Sequence, residues 1–176
     1  MIKGGKGGAN TNLVGLKFEK DTDIKNLFEG LNGYQIRDNE IYYNESKVAE
    51  LYGKNAIYKK LLPKYNVDWK SIVSSKLLPD EAILVLKNNT LYIIEKKIQT
   101  GQGSVDEKLQ TCDFKKKKYE RLFNGTGIKI EFAYVLNDWF KSSKYKDTLD
   151  FIHSVGCHYF FGTLPFGFLG LPAPKS

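Results

Sequence analysis

Two apolar segments separated by a short polar turn place the strongest constraint on how this chain can fold. Residues 82–87 (AILVLK) and 91–98 (LYIIEKKI) are rich in aliphatic and β-branched side chains, which favour strands. Asn88-Asn89-Thr90 lies between them and has the composition of a turn. The segments therefore predict a β-hairpin, and it is the clearest such pattern in the chain.

The N-terminal half of the chain predicts helices on either side of a smaller hairpin. Apolar residues recur at helical spacing over residues 12–31, as one long helix or two short ones, with Asp21 or Asp23 available to cap the second. Residues 33–43 are typical of a hairpin, because two short apolar segments flank a polar turn. After Ser46, which can cap it, a helix is predicted to run towards Leu62 with an interruption near Gly53, and Pro63 is expected to end it.

The C-terminal half alternates between helical and extended patterns. Ser104 can cap a helix that runs to residue 122, after which residues 128–136 predict a strand, 145–155 a helix and 158–161 a last short strand. Helices and strands in this order predict an α/β fold, in which a central mixed β-sheet is flanked by helices.

Length and composition indicate a single domain. The chain has 176 residues, of which 41% are hydrophobic, and this is enough apolar material for one core. Residues 1–10, MIKGGKGGAN, are rich in glycine and offer little to bury. We therefore expect a flexible arm over 1–10 and one domain over 11–176.

The net charge and the number of cysteines indicate which kind of partner and which cellular compartment to expect. Lys and Arg number 27 against 20 Asp and Glu, a net charge of +7 that suits nucleic acid, although solvated surface lysines would give the same count. Two cysteines without paired spacing do not make a disulfide framework, and the N-terminus shows no secretory signal. We therefore expect a cytoplasmic protein with no membrane partner.

The end of the predicted hairpin carries candidate catalytic residues. Glu95 and Lys97 are two positions apart on a strand, so their side chains share one face while Lys96 points to the other. Asp80 precedes the partner strand and can lie across from Glu95, so that two carboxylates converge. Converging carboxylates suit a hard cation such as Mg²⁺. The alternative is an ordinary strand end with a solvated ion pair.

Pro79-Asp80, the hairpin and Glu95-Lys96-Lys97 together resemble the signature of the PD-(D/E)XK nuclease superfamily, which includes many type II restriction endonucleases. The resemblance implies a restriction endonuclease-like fold and Mg²⁺-dependent hydrolysis of phosphodiester bonds in double-stranded DNA. It assigns Asp80, Glu95 and the backbone carbonyl of Lys96 to the metal, and it assigns Lys97 to the attacking water.

Two flanking motifs extend the resemblance. Gly15 and Glu19 in the first predicted helix resemble a G-x-x-x-E element, in which the glutamate contacts the metal or its water. Gln110, with Phe114 four positions later, resembles a Q-x-x-x-Y element in which Phe replaces Tyr. We expect Glu19 and Gln110 to approach the site from opposite sides as catalytic residues. The alternatives are a solvated helix glutamate and a polar helix residue.

The function that the resemblance implies is that of a site-specific type II restriction enzyme, and such enzymes are often symmetric homodimers. Two alternatives stay open. A structure-specific nuclease such as a junction resolvase would share the signature and read a different DNA shape. A basic DNA-binding module would use Asp80 and Glu95 only structurally, but carboxylates without a metal would then repel the phosphates.

Two further groups of residues have weaker interpretations. His153, Cys157 and His158 are close in sequence and suggest zinc, but no paired ligand spacing accompanies them. Lys115–Lys118 form a charge run, which is usually a solvated helix face and which would contact phosphates if it lined a cleft.

Overall fold

A mixed sheet of seven strands organises the protein in a computed structural model, which describes residues 7–101 and 104–175, with side chains from residue 14 onward. The strands lie in the sheet in the order in which they occur in the chain. They are β1 (Tyr34–Arg37), β2 (Glu40–Tyr43), β3 (Ser46–Leu51), β4 (Glu81–Val85), β5 (Thr90–Lys97), β6 (Lys129–Leu136) and β7 (His158–Phe161).

The sheet changes from antiparallel to parallel at β5. The pairs from β1 to β5 are antiparallel, whereas β5 pairs with β6, and β6 with β7, in parallel. Short turns join β1 to β2, β2 to β3 and β4 to β5, whereas the longer segment 52–80 joins β3 to β4. Each parallel pair needs a crossover, and helices supply both. The predicted α/β fold with a central mixed sheet and flanking helices is thus confirmed.

Helices cover both faces of the sheet. The α-helices are α1 (Gly7–Asp21), α2 (Leu62–Lys64), α3 (Val105–Leu109), α4 (Cys112–Leu122) and α5 (Lys146–Ser154). A 3-10 helix (Ile24–Leu27) follows α1, and the side chain of Asp23 caps it by accepting a hydrogen bond from the Lys25 amide at 2.8 Å. The first predicted helical region therefore takes its two-helix form, with Asp23 as the cap.

Alternate residues of each central strand enter two separate cores. On β5, Leu91 and Ile93 pack on the face covered by α4 and α5, which we call the α4 face. Tyr92 and Ile94 pack on the opposite face with Phe18 of α1, the following 3-10 helix and the C-terminal segment, and we call this the α1 face. Burial on both faces explains why the hairpin strands are apolar at nearly every position.

The prediction of a helix over residues 46–62 is wrong in its first half. Ser46–Leu51 forms β3, which pairs with β2 on one side and β4 on the other. Ala49 and Leu51 are buried at alternate positions of this strand. Partners on both sides satisfy the strand backbone and bury these side chains, so tertiary pairing outweighs a weak helical pattern. Helical turns occupy only Ile57–Leu61 and α2.

Some boundaries of the helices differ from the predicted ones. Of the predicted N-terminal arm, residues 1–6 lie outside the described residues, and residues 7–10 belong to α1. The helix predicted from Ser104 to residue 122 is divided into α3 and α4 by Gln110 and Thr111.

Within the part of the chain that the structure describes, no helix has the length and apolar character needed to cross a membrane.

We expect the substitution Phe132→Ala on β6 to lower the free energy of unfolding by about 3–5 kcal/mol, because it leaves a cavity in a close-packed core. The Phe132 side chain is completely buried, whereas that of Phe114 on α4 is 64% exposed. Phe114→Ala is therefore the matched control, with an expected change of about 0.5 kcal/mol or less. Urea unfolding of both variants measures the difference, and equal losses would contradict this account of the core.

Candidate active site

Asp80, Glu95 and Lys97 meet where the beginning of β4 lies beside the end of β5. The two strands are antiparallel, with Glu81 opposite Ile94, so Asp80 just before β4 reaches the last residues of β5. The Lys97 Nζ atom lies 3.0 Å from Glu95 Oε2 and 3.8 Å from Asp80 Oδ2. The predicted clustering of these three side chains at one end of the sheet is confirmed.

Backbone hydrogen bonds hold Asp80 in place. The amide of Lys96 donates to Asp80 Oδ2 at 2.8 Å. The amide of Lys54 donates to the carbonyl of Pro79 at 3.1 Å, which attaches the chain after β3 to the same turn. Because both donors are main-chain groups of packed segments, the position of the Asp80 carboxylate depends little on side-chain freedom.

Glu95 is nearly buried and contacts two ammonium groups. Its side chain is 10% exposed, and its Oε2 atom lies 3.0 Å from Lys97 Nζ and 2.5 Å from Lys115 Nζ. The sequence pattern does not single out Lys115 from its charge run. Helical spacing places Lys115 between Cys112 and Tyr119 on one side of α4, but it places Lys116 there equally well.

Two buried tyrosines form an apolar floor near the carboxylates. The hydroxyl of Tyr119 donates to the Leu77 carbonyl at 2.9 Å, and that of Tyr134 donates to the Lys108 carbonyl at 3.2 Å. Burial, assisted by the negative charge of Glu95, raises the pKa of both tyrosines, so both are neutral. Solvent therefore screens the charge of Glu95, whose side chain is 10% exposed, less than the charge of Asp80, whose side chain is 40% exposed.

Lys96 points to the opposite face and fastens α1 to the sheet. Its Nζ atom donates to Glu81 Oε1 at 2.9 Å and to the Glu19 carbonyl at 3.0 Å. Glu81 also accepts a hydrogen bond from the Ile24 amide at 3.0 Å. Burial raises the pKa of Glu81, although these hydrogen bonds oppose the shift. The Lys96 side chain thus has a structural role, while its backbone amide donates a hydrogen bond to Asp80.

Glu19 lies at the site, but on the α1 side of it. Its exposed side chain lines an open cleft of about 360 Å³ together with Asp80 and Lys96. Glu95 and Lys97 lie on the α4 face, and they are not part of the lining of this cleft. The structure therefore brings Glu19 to the Asp80 edge of the site, and its catalytic role stays a prediction.

Gln110 is not brought to the cluster. It is exposed and ends α3, and no hydrogen bond or ion pair among the described residues joins it to Asp80, Glu95 or Lys97. Phe114, the second member of that motif, is also exposed. The aromatic ring that the motif resemblance pairs with Gln110 thus faces solvent rather than the site.

The four lysines of the charge run, Lys115–Lys118, each contact a different group. Lys115 contacts Glu95, Lys116 donates to the Gly156 carbonyl at 2.7 Å, and Lys117 pairs with Asp113 at 2.7 Å on the exposed side of the helix. The Lys118 side chain is buried and donates to the Ser75 hydroxyl at 3.2 Å. The interpretation of Lys115–Lys118 as a uniformly solvated helix face is therefore wrong.

The candidate zinc residues do not converge. Cys157 is buried in the core of the α4 face, whereas His158 lies 3.3 Å from Glu131. Within the described ranges, 7–101 and 104–175, no group of three or more His, Cys, Asp and Glu side chains could hold a metal ion.

Two carboxylates nevertheless suit one kind of metal site. Mg²⁺ is commonly held by one or two carboxylates together with waters and the phosphates of a substrate, rather than by a complete protein cage. Asp80 and Glu95 are two such carboxylates at one end of the sheet, and both lie within 4 Å of the Lys97 ammonium, at 3.8 and 3.0 Å. The donor set fits Mg²⁺ provided that a phosphate completes it.

Comparison with known proteins adds no relatives. No protein-family model, curated protein or solved structure matches this chain.

We expect Lys96→Met to lower the free energy of unfolding by about 3–5 kcal/mol, because it leaves the buried Glu81 carboxylate without its counter-charge. The side chains of Lys96 and Glu81 are only 5% and 14% exposed. The double variant Lys96→Met/Glu81→Leu should recover most of the loss, since an apolar pair can replace a buried ion pair. Urea unfolding of both variants measures the difference.

The matched control is Lys146→Met, which removes an exposed ion pair with Asp150 on α5. It should leave stability nearly unchanged, because exposed pairs contribute little. If Lys96→Met were equally harmless, the side chain of Lys96 would have no part in fastening α1.

Proposed function

We propose that the protein is a Mg²⁺-dependent endonuclease of the PD-(D/E)XK type that hydrolyses phosphodiester bonds in double-stranded DNA, as a site-specific restriction enzyme does. The observation that carries this proposal is the contact of Lys97 with both Asp80 and Glu95 at the meeting ends of β4 and β5. An ordinary strand end would let these side chains spread into solvent, whereas here Glu95 is nearly buried.

The order of elements around the cluster supports a restriction endonuclease-like fold. A helix, α1, precedes the antiparallel strands β3, β4 and β5, and the helices α3 and α4 lead to β6, which is parallel to β5. The candidate residues lie within this unit, at the end where β4 begins and β5 stops. The same order is the one that the sequence resemblance implies.

The residues divide the chemistry between them. Asp80 and Glu95, with the Lys96 carbonyl, would hold Mg²⁺, which supplies a Lewis acid and an activated water when bound. Lys97 is placed to donate a hydrogen bond to a non-bridging phosphate oxygen or to the attacking water, and so to stabilise the charge that develops in the transition state. Because β4 and β5 lie inside the sheet, partners on both sides hold the backbone that carries Glu95 and Lys97.

A lysine-rich segment between β3 and β4 supports DNA as the partner. Lysines in this segment lie before the Pro79-Asp80 turn, and all but the last of them are exposed: Lys54, Lys59, Lys60, Lys64, Lys70 and Lys76. Lys54 also lines the cleft that contains Asp80. Ammonium groups near a cleft attract phosphates without reading base sequence, so they would contribute affinity and a strong dependence on salt.

Three measurements separate this proposal from its alternatives: cleavage of a linear duplex, cleavage of branched DNA, and duplex binding. The protein is incubated with a long linear duplex of known sequence, with and without Mg²⁺, and the product ends are mapped; fixed cut sites support the restriction enzyme. Cleavage confined to branched DNA would favour a junction resolvase instead. Tight, salt-dependent duplex binding without any cleavage would favour a basic binding module.

We expect Asp80→Asn and Glu95→Gln each to reduce Mg²⁺-dependent cleavage by at least about 100-fold, since even residues that only orient a metal ligand are worth about 10- to 100-fold. Duplex affinity measured without metal should change little, because phosphate contacts by lysines dominate it. Cleavage rates and filter or fluorescence binding assays give the two readouts.

The control for both substitutions is Asp138→Asn, which alters an exposed carboxylate paired with Lys141. Its cleavage rate should match that of the unaltered protein. Equal nuclease activity in all of these proteins would point to a different active site and would remove the basis of the proposal.

A further inference from the structure

The contact between Lys115 and Glu95 is not required by the proposed chemistry. Lys115 comes from α4, across the α4 face from the strand that carries Glu95, and its Nζ atom lies 2.5 Å from Glu95 Oε2. Lys97 contacts the same oxygen at 3.0 Å. The side chains of Lys115 and Glu95 are 19% and 10% exposed, so this pair is largely removed from solvent.

The charges of the cluster already balance without a metal. Asp80 and Glu95 contribute two negative charges, and Lys97 and Lys115 contribute two positive ones, all within one chain of contacts. A divalent cation added to this arrangement would leave an excess of positive charge beside Glu95 and Lys115, whose side chains are largely removed from solvent, so repulsion there is screened less than at the surface. An arriving DNA phosphate carries the negative charge that would offset this excess.

We propose that Lys115 is an internal counter-ion, which occupies Glu95 in the free protein and turns to a DNA phosphate when the duplex binds, so that metal binding and DNA binding are coupled. This inference rests on the proposed function. Its physical basis is competition for one carboxylate: Glu95 is available to a metal only when the Lys115 ammonium has another anion to contact. A phosphodiester oxygen is such an acceptor, and no covalent step is involved.

The coupling has a reciprocal consequence. If the duplex increases the affinity of the protein for a divalent cation, the cation must increase the affinity for the duplex by the same factor. Removing the charge of Lys115 should raise the affinity of the free protein for the cation, because the competitor for Glu95 is gone. It should also reduce the coupling factor, since the duplex then has less positive charge to withdraw from Glu95.

The test compares Lys115→Gln with Lys115→Arg and Lys117→Gln. The glutamine amide can still donate a hydrogen bond to Glu95 but carries no charge, and the arginine restores the charge. Lys117 is a matched control, because it lies two positions further along α4 and pairs with Asp113 on the exposed side. Calorimetric titration with Ca²⁺, which can bind without positioning the attacking water, is carried out with and without a duplex.

For the unaltered protein, Lys115→Arg and Lys117→Gln, we expect weak Ca²⁺ binding that the duplex strengthens by about 10-fold or more, within the usual range of coupling between two sites. For Lys115→Gln we expect Ca²⁺ to bind the free protein about 10-fold more tightly and the coupling factor to fall towards one. A role of Lys115 in packing alone would not change the coupling factor.

Several outcomes would overturn the inference. Unchanged Ca²⁺ affinity and unchanged coupling in Lys115→Gln would show that Lys115 does not compete for Glu95, even if the unaltered protein cleaves DNA. An equal effect in Lys115→Arg would show that charge is not the cause. Failure of the proposed function is a separate result: the unaltered protein would neither bind nor cleave a duplex, while the Ca²⁺ titration of the free proteins still tests the competition.

Discussion

The antiparallel pairing of β4 with β5 is the constraint on which the rest of the site depends. Its register places Glu81 opposite Ile94, so the residue before β4 meets the residues at the end of β5. The hydrogen bond from the Lys96 amide to Asp80 then extends this contact beyond the last paired residues. A shift by one residue would turn Glu95 and Lys97 to the α1 face and separate them from α4.

The alternation of side chains along β5 lets one strand end serve both structure and chemistry. Lys96 ties α1 to the sheet through Glu81 and the Glu19 carbonyl, whereas Glu95 and Lys97 on the other face meet Lys115 of α4. Nearly buried charges are stable only when they are paired, so each face of the strand end has its own set of ion pairs. Both helices are thereby held against the candidate site.

The two sides of the site differ in openness. On the α1 side, Asp80 and Glu19 line an open cleft. On the α4 side, Glu95 and its lysines lie over the buried tyrosines Tyr119 and Tyr134. The two carboxylates that we propose as metal ligands thus meet at the boundary between the open α1 side and the more buried α4 side.

The sequence by itself determined the hairpin, the shared face of Glu95 and Lys97, and the order of helices and strands after it, because strand period, turn composition and helical spacing are local properties. Only the tertiary structure decided that Ser46–Leu51 is a strand, because its partners β2 and β4 lie on both sides of it in space. It also decided that Lys115 contacts Glu95 while Gln110 stays at the surface. Which of several lysines meets a carboxylate depends on how α4 packs on the sheet, and no local pattern contains that distance.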